Sequence, residues 1–271
     1  MLELTPTELE RYQRQIQLPG FGEAGQAALK ASTALITGVG GLGGTVALYL
    51  AVAGIGKLIL VRGGNLRLDD MNRQILMTHD WVGKPRVFKA QETLAQINPD
   101  VQIEAIDEYI TEENVDSLVQ QSDIALSCAH NFGERDLLNA GCVLWNKPMV
   151  EAAMNSMEAY LTTIIPGKTP CLSCLFPEKP DWDRRGFGVL GAVSGTLACL
   201  TALEAIKLIT GLGKPLLSQL LTMDLGNAEF AKRRPYHDPD CQICGRGKTQ
   251  GVTKAVELLH PKGQEVEPVK C

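Results

Sequence analysis

Residues 32–44, with the sequence STALITGVGGLGG, decide the fold of this chain. The apolar run at 32–37 has the length and composition of a buried strand, and it leads directly into the glycine-rich part. Small apolar residues at 45–52 then indicate a helix, and residues 57–61 indicate a second buried strand. A strand, a glycine turn, a helix and a strand in this order predict a βαβ unit.

The glycine turn predicts a phosphate-binding site. Gly38 and Gly40 allow a tight turn with bare backbone N–H groups, and Gly43 allows the following helix to pack closely. The N-terminus of that helix carries a partial positive charge, which attracts a phosphate. The motif serves dinucleotide and ATP sites alike, and a glycine-rich turn without a ligand is the alternative.

Further segments extend the sheet on both sides of this unit. Strands that alternate with helices, such as the helix predicted at 86–97, are typical of a Rossmann-type α/β fold with a doubly wound, mostly parallel sheet. Ligands of such sheets bind at the carboxyl ends of the strands. The run at 159–165 is rich in β-branched residues and suits an antiparallel strand, and residues 218–225 suggest another, which favours a C-terminal antiparallel extension. The additional strands are predicted at 101–106, 122–127, 147–150, 159–165 and 218–225.

The composition excludes several classes of protein. The formal net charge is −5 and no Lys/Arg run is present, which argues against a nucleic-acid partner. The N-terminus has no apolar segment of the secretory type, so we expect a cytoplasmic protein. The apolar stretch at 189–212 contains Glu204 and Lys207, which indicates a helix buried in protein and not a membrane span.

Four of the eight cysteines form two C-x-x-C pairs, Cys171 with Cys174 and Cys241 with Cys244. Four thiolates make a closed tetrahedral site, so the pattern predicts a structural Zn²⁺ ion that clamps the C-terminal segment onto the body. Metal-binding cysteines also indicate a reducing cytoplasm. Coincidental spacing or a redox motif is the alternative.

These features predict one domain over residues 1–245. It contains N-terminal helices at 1–31, a Rossmann core at 32–155 and a zinc-clamped C-terminal part at 156–245. Residues 246–271 are polar and rich in turn-forming residues, which predicts a flexible tail.

Short motifs of distinctive sequence are spread over nearly the whole chain. Besides the glycine turn and both cysteine pairs, they are Glu10-Arg-Tyr-Gln-Arg-Gln-Ile16, Met71-Asn-Arg-Gln74, Cys128-Ala-His-Asn131 and Leu138-Asn-Ala-Gly-Cys142. Together they resemble the ThiF/MoeB/HesA adenylyltransferase family, which is ubiquitin-activating-enzyme-like. The sequence Arg62-Gly-Gly-Asn65 is most similar to that of the HesA branch, whose genes accompany nitrogen-fixation clusters.

The resemblance implies a homodimer that binds ATP with Mg²⁺ and adenylates the C-terminal glycine of a small ubiquitin-like sulfur-carrier protein. It also implies that Arg14 reaches the nucleotide of the partner subunit and that Arg73 holds phosphate in its own subunit. An exposed surface charge is the alternative for each arginine. Arg86 stands where the family usually has a phosphate-binding lysine, and Lys84 is near enough to take that role. The full set implied for the nucleotide is Gly38, Gly40, Gly41, Gly43, Arg62, Asp69, Asp70, Arg73, Lys84, Arg86, Cys128, His130 and Asn131.

Two acidic motifs of the family are altered in this chain. Arg62-Gly-Gly64 stands where the family has the Asp-x-Asp that holds the ribose, and Asp69 and Asp70 are candidates to substitute. An arginine there also suits a 2′-phosphate, so NADP-type binding stays open. His130 replaces the aspartate that holds Mg²⁺, and Ser127 replaces another aspartate of the same motif. Since Mg²⁺ prefers oxygen ligands, His130 is expected either to assist the phosphates directly or to have no catalytic duty.

The loop at 181–188, where several relatives carry a reactive cysteine, has none here. Cys128, Cys142 and Cys199 are predicted to be inert core thiols. Two functions follow. The first is ATP-dependent adenylation of a carrier protein, in metal-sulfur or molybdenum cofactor assembly related to nitrogenase. The second is a catalytically impaired nucleotide-binding accessory protein that handles molybdenum or sulfur.

Overall fold

One mixed sheet organises the computed structural model, which describes residues 3–179 and 188–245. The strands are β1 (Thr33–Thr37), β2 (Lys57–Val61), β3 (Gln102–Ile106), β4 (Ile124–Ser127), β5 (Met149–Asn155), β6 (Glu158–Ile164), β7 (Leu220–Asp224) and β8 (Glu229–Arg233). Their spatial order is β3-β2-β1-β4-β5-β6-β7-β8. The predicted tail at 246–271 and most of the loop at 181–188 lie outside the described residues.

The sheet changes from parallel to antiparallel at β5. The pairs among β3, β2, β1, β4 and β5 are parallel, and those among β5, β6, β7 and β8 are antiparallel. This confirms the predicted Rossmann-type sheet with its C-terminal antiparallel extension. The chain leaves β1 toward β2 on one side and later returns to β4 on the other. A crevice therefore opens between the carboxyl ends of β1 and β4, where such sheets bind ligands.

Helices cover both faces of the sheet. Because successive side chains of a strand point to opposite faces, the two central strands contribute to two separate cores. Ile36 and Leu58 pack with the helices at Gly43–Ala53, Arg86–Ile97 and Gly191–Thr210, whereas Leu35 and Ile59 pack with those at Val115–Gln120 and Phe132–Leu144. The helices are α1 (Pro6–Arg11), α2 (Gln13–Ile16), α3 (Gly22–Ala31), α4 (Gly43–Ala53), α5 (Arg86–Ile97), α6 (Val115–Gln120), α7 (Phe132–Leu144), α8 (Leu172–Leu175) and α9 (Gly191–Thr210), with short 3₁₀ helices at Leu68–Asp70 and His79–Trp81.

The long apolar helix α9 packs against α3, α4 and β5. Among the described residues it is the one helix whose length and mean hydropathy, 1.6, would also suit a membrane span. Its Glu204 is buried, pairs with Lys207 and accepts hydrogen bonds from the Thr163 hydroxyl at 3.0 Å and the Leu216 N–H at 2.8 Å. A satisfied buried carboxylate of this kind is typical of a helix packed in protein. The prediction that Cys199 is a core thiol is wrong, because its side chain lies on the exposed face of α9.

Candidate nucleotide site and metal centre

A cavity of about 450 Å³ lies at the crevice between β1 and β4. The glycine turn after β1, the loop after β2 and the segment after β4 form its walls, since parallel strands end on the same edge of the sheet. Most residues implied by the resemblance meet there. Those that line it are Gly38, Gly40, Gly41, Arg62, Asp69, Asp70, Arg73, Arg86, Cys128, His130 and Asn131.

Three glycines of the turn, Gly38, Gly40 and Gly43, have different steric environments. Gly38 has a φ of +108°, and a Cβ there would lie 2.8 Å from the carbonyl oxygen of Cys128. Gly43 begins α4, and a Cβ on it would lie 1.9 Å from the carbonyl oxygen of Gly38, so it packs beneath the turn. A Cβ on Gly40 would meet nothing closer than Gln74 Nε2 at 3.8 Å, because Gly40 borders the open cavity. Gly38 and Gly43 therefore form the turn, and Gly40 keeps its backbone accessible to a ligand.

Asp70 holds two cations of the cavity wall together. Arg73 Nη2 donates to Asp70 Oδ1 at 2.9 Å, and Arg86 Nη1 lies 3.1 Å from Asp70 Oδ2. Arg73 also donates to the Asp69 carbonyl oxygen at 2.7 Å, which fixes the plane of its guanidinium. Two guanidinium groups on one carboxylate leave an excess of one positive charge. The arrangement therefore favours an anion such as a phosphate.

Arg62 is held by neighbours from two other elements. Its Nη1 donates to His130 Nδ1 at 3.0 Å and lies 3.6 Å from Glu134 Oε1, and its guanidinium lies over the Tyr109 ring. Asn131 is the N-cap of α7, where its side chain accepts from the Glu134 N–H at 2.8 Å. Since arginine only donates, a hydrogen bond between these two atoms requires Nδ1 of His130 to accept, which in a neutral imidazole places the proton on Nε2. Glu134 offsets the charge of Arg62. The sequence motifs do not single out Glu134.

Three residues of the implied set lie outside the cavity wall. Arg14 is on α2 with its side chain exposed, and Gly43 lies beneath the turn. Lys84 has its ammonium 4.9 Å from the centre of the Trp81 ring. The cavity also has members that were not predicted. Some are neighbours of predicted residues within the same motifs, and the others come from segments far apart in sequence that carry no motif of their own. These are Leu42, Arg67, Asn72, Gln74, Ala129, Phe132, Arg135, Ala153, Met154, Val189 and Ser194.

The four cysteines of the two C-x-x-C pairs converge at one point. The sulfurs of Cys171 and Cys241 are 3.7 Å apart, those of Cys174 and Cys244 are 3.4 Å apart, and all four lie within 4.8 Å of one another. Tetrahedral Zn²⁺ with Zn–S bonds of about 2.3 Å requires sulfurs about 3.8 Å apart. The cluster therefore fits a zinc ion, and it would tie residues 241–244 to α8.

Two thiols outside the cluster, those of Cys128 and Cys142, have raised pKa values. Burial raises the pKa of Cys142 to about 12, and burial likewise raises the pKa of Cys128 to about 12. The thiolate is the nucleophilic form, so both are weak nucleophiles at neutral pH.

A glycine turn at the crevice of a parallel sheet, faced by paired arginines, defines an α/β nucleotide-binding protein. The chain matches the model of the ThiF family over residues 12–243, and it belongs to that family.

Relatives of known name resemble this chain over most of its length. The "Protein HesA, heterocyst" of Trichormus variabilis is 77% identical over 245 residues, which cover 90% of this chain and 92% of that protein. The "Sulfur carrier protein adenylyltransferase" of Thermus thermophilus is 36% identical over 258 residues, which cover 91% of this chain and 94% of that protein. The crystal structure of E. coli MccB with ATP superposes with a TM-score of 0.79 at 27% identity, covering 89% of this chain and 75% of MccB.

Proposed function

We propose that this protein uses ATP to adenylate the C-terminal glycine of a small ubiquitin-like sulfur-carrier protein. The carboxylate oxygen of the carrier attacks the α-phosphorus, the bond to the β-phosphate oxygen breaks, and pyrophosphate leaves with its electron pair. The observation that carries the proposal is the cavity with Gly40 and Gly41 on one wall and the Arg73–Asp70–Arg86 cluster on another. Positioned donors and cations are what this reaction needs, because charge moves onto the leaving phosphates.

The side chains around the cavity have distinct proposed roles. Arg73 and Arg86 bind phosphate oxygens, and the N–H groups of Gly40 and Gly41 approach the phosphates from the turn. A neutral His130 whose Nδ1 accepts from Arg62 can donate from Nε2 to a phosphate oxygen.

Asp70 is not available to hold a magnesium ion. Asp69 and Asp70 are the carboxylates that line the cavity in the described part of the chain; Arg73 and Arg86 share Asp70, whereas the exposed Asp69 pairs with Arg67 at the surface. Mg²⁺ requires oxygen ligands in near-octahedral geometry, which Asp70, occupied by two guanidinium groups, does not offer. The proposed roles are therefore limited to the cations and donors of the chain itself.

A second cavity supports the approach of a carrier tail. It has a volume of about 740 Å³, lies along β5 to β8 and includes the half-exposed Phe230. Ala153 and Met154 line both cavities, so the two spaces meet at β5. An extended polypeptide end lying over the antiparallel strands would reach the nucleotide cavity through this junction.

We further propose a homodimer, a structural Zn²⁺ ion and one domain over residues 1–245. Arg14 is exposed on α2 and does not line the cavity of its own subunit, which supports a role in the partner subunit. The fit of the four sulfurs to a tetrahedral ion supports zinc. The link to nitrogenase-related cofactor assembly rests on the similarity to the HesA branch.

The decisive test is ATP–pyrophosphate exchange with purified small ubiquitin-like proteins from the same genome, together with calorimetric titration of ATP. We expect Arg73→Ala to lower ATP affinity about tenfold or more, the equivalent of one lost charge-assisted contact. Arg11→Ala is the matched control, since this exposed arginine pairs with Asp100 on the surface. Exchange that stays absent with every candidate carrier would refute the adenylation.

The second candidate is a nucleotide-binding accessory protein without transferase activity. The pairing of Asp70 with both Arg73 and Arg86 favours it, because a carboxylate shared by two guanidinium groups is not left to hold a metal. ATP binding that depends on Arg73, combined with no exchange, would support this candidate. Transfer of AMP to a carrier would exclude it.

A further inference from the structure

A buried charged cluster lies behind the junction of the two cavities. It consists of Arg135 on α7, Glu151 on β5 and Tyr160 on β6, and all three side chains are buried. Arg135 Nη1 donates to Glu151 Oε1 and, at 3.0 Å, to the carbonyl oxygen of Ala152. The Tyr160 hydroxyl donates to the same Glu151 oxygen at 2.9 Å. One carboxylate oxygen therefore joins an arginine and a tyrosine.

Stability alone does not account for this cluster. The other oxygen of Glu151, Oε2, is buried and has no hydrogen-bond partner among the described residues. A buried acceptor without a partner is unfavourable, and a buried ion pair is seldom more stabilising than apolar packing. An arrangement that lowers stability points to a function.

The cluster connects the walls of both cavities. Arg135 lines the nucleotide cavity and Tyr160 lines the second cavity, with Glu151 between them. Ala153 lines both cavities, lies on the same face of β5 as Glu151 and is paired across the strands with Tyr160. The nucleotide cavity thus has cations on two walls. Arg73 donates a hydrogen bond to the loop after β2, whereas Arg135 donates one to β5, the strand that both cavities share.

We propose that Arg135 binds the C-terminal carboxylate of the incoming polypeptide, and that Glu151 and Tyr160 position Arg135 for this contact. The inference rests on the proposed function and assigns a site for the second substrate. The hydrogen bonds of Arg135 within the described residues all use Nη1, and a guanidinium has five N–H donors in a rigid fork. Glu151 offsets the charge of Arg135, whereas Arg73 and Arg86 share one carboxylate and keep an excess positive charge, so the wall with Arg73 and Arg86 is the more favourable one for phosphates.

The test compares two synthetic octapeptides that end in Gly-Gly, one with a free carboxylate and one with a C-terminal amide. Each is titrated into the full-length protein saturated with the α,β-methylene analogue of ATP. For the wild type we expect a preference of about tenfold or more for the free carboxylate, and tenfold corresponds to about 1.4 kcal/mol. Arg135→Gln should abolish the preference and leave the affinity for the ATP analogue within about twofold, whereas Arg11→Gln should change neither.

The positioning role is tested by Glu151→Gln and Tyr160→Phe. Both variants should reduce the preference for the free carboxylate and leave the affinity for the amidated peptide unchanged. A general loss of structure would instead lower the affinity for both peptides. If Glu151→Gln fails to fold, Tyr160→Phe decides, because it removes one hydroxyl from an otherwise intact cluster.

Two results would overturn the inference. They are an unchanged preference in Arg135→Gln, and a wild type that binds both peptides equally or neither. In either case ATP–pyrophosphate exchange with a carrier would still support the proposed function. Absence of exchange together with a carboxylate preference lost in Arg135→Gln would refute the transferase and leave the peptide site standing.

Discussion

Gly40 and Gly43 differ by three positions, and the structure predicts opposite effects when each is replaced by alanine. A Cβ on Gly43 would lie 1.9 Å from a backbone oxygen, so the turn and α4 must separate. Forcing a methyl group against backbone costs about 3 kcal/mol. At about 2–4 °C per kcal/mol for a chain of this size, the melting temperature should fall by about 6–12 °C.

Gly40→Ala should leave the fold intact. The nearest atom to its Cβ would be 3.8 Å away, and Gly40 does not have a positive φ. A less flexible unfolded chain can even add about 0.4–1 kcal/mol of stability. The methyl group would enter the cavity where a phosphate approaches the turn. Losing one charge-assisted contact of about 1.5–3 kcal/mol lowers ATP affinity roughly tenfold to a hundredfold.

The two variants are compared by thermal unfolding without ligand and by calorimetric titration with ATP. The expected pattern is a stable Gly40→Ala that binds ATP weakly and an unstable Gly43→Ala. If Gly40→Ala binds ATP as tightly as the wild type, the turn does not hold the phosphates. A normal melting temperature for Gly43→Ala would refute the close packing of Gly43 against the carbonyl oxygen of Gly38 in the turn.

Three further predictions concern the metal, the pH dependence and the nucleotide. Cys241→Ser, or a zinc chelator, should lower the melting temperature by about 10 °C or more, because metal binding contributes folding free energy, whereas exposed Cys199→Ser should not; equal melting temperatures would refute a structural metal. Burial raises the pKa of Glu8, but hydrogen bonds from Lys30 and Thr5 outweigh it, so the pKa is lowered from 4.5. A lowered pKa means stability that is present at neutral pH and lost as the pH falls below 4.5, so Glu8→Gln should be destabilised by about 1 kcal/mol at pH 7, and the difference from the wild type should shrink as the pH is lowered below 4.5 in urea unfolding; a constant difference would contradict the ion pair. Because Glu134 and His130 already engage Arg62, NADPH and NADH should bind equally, and a tenfold preference for NADPH that Arg62→Ala removes would restore the NADP-type alternative.

Local sequence was sufficient for the elements and for the position of the cavity. A strand followed by glycines and a helix is specified by neighbours in the chain, and β1, α4 and β2 occur where the pattern predicts them. The carboxyl ends of parallel strands must share an edge, so the glycine turn and the Cys128–Asn131 segment could be expected to meet. The spacing of the C-x-x-C pairs likewise predicted the four-sulfur cluster.

Some local features escaped prediction because their stability comes from partners elsewhere. Strand β8 at Glu229–Arg233 is exposed along its length and has no apolar alternation, and it forms because β7 offers an edge with which to pair. Cys199 was expected in the core because α9 is apolar nearly all around. Which face of such a helix is covered depends on where α3, α4 and β5 lie.

The sequence by itself determined the α/β class, the phosphate-type turn and the cysteine cluster, since each depends on residues a few positions apart or on one rule of sheet geometry. Only the tertiary structure decided how the charges pair. Asp70 was a candidate for the ribose and instead joins Arg73 to Arg86, and Arg135 meets Glu151 across sixteen positions of chain. Coulombic and hydrogen-bond energies depend on distances of a few ångströms between side chains, and those distances exist only after the helices have packed on the sheet.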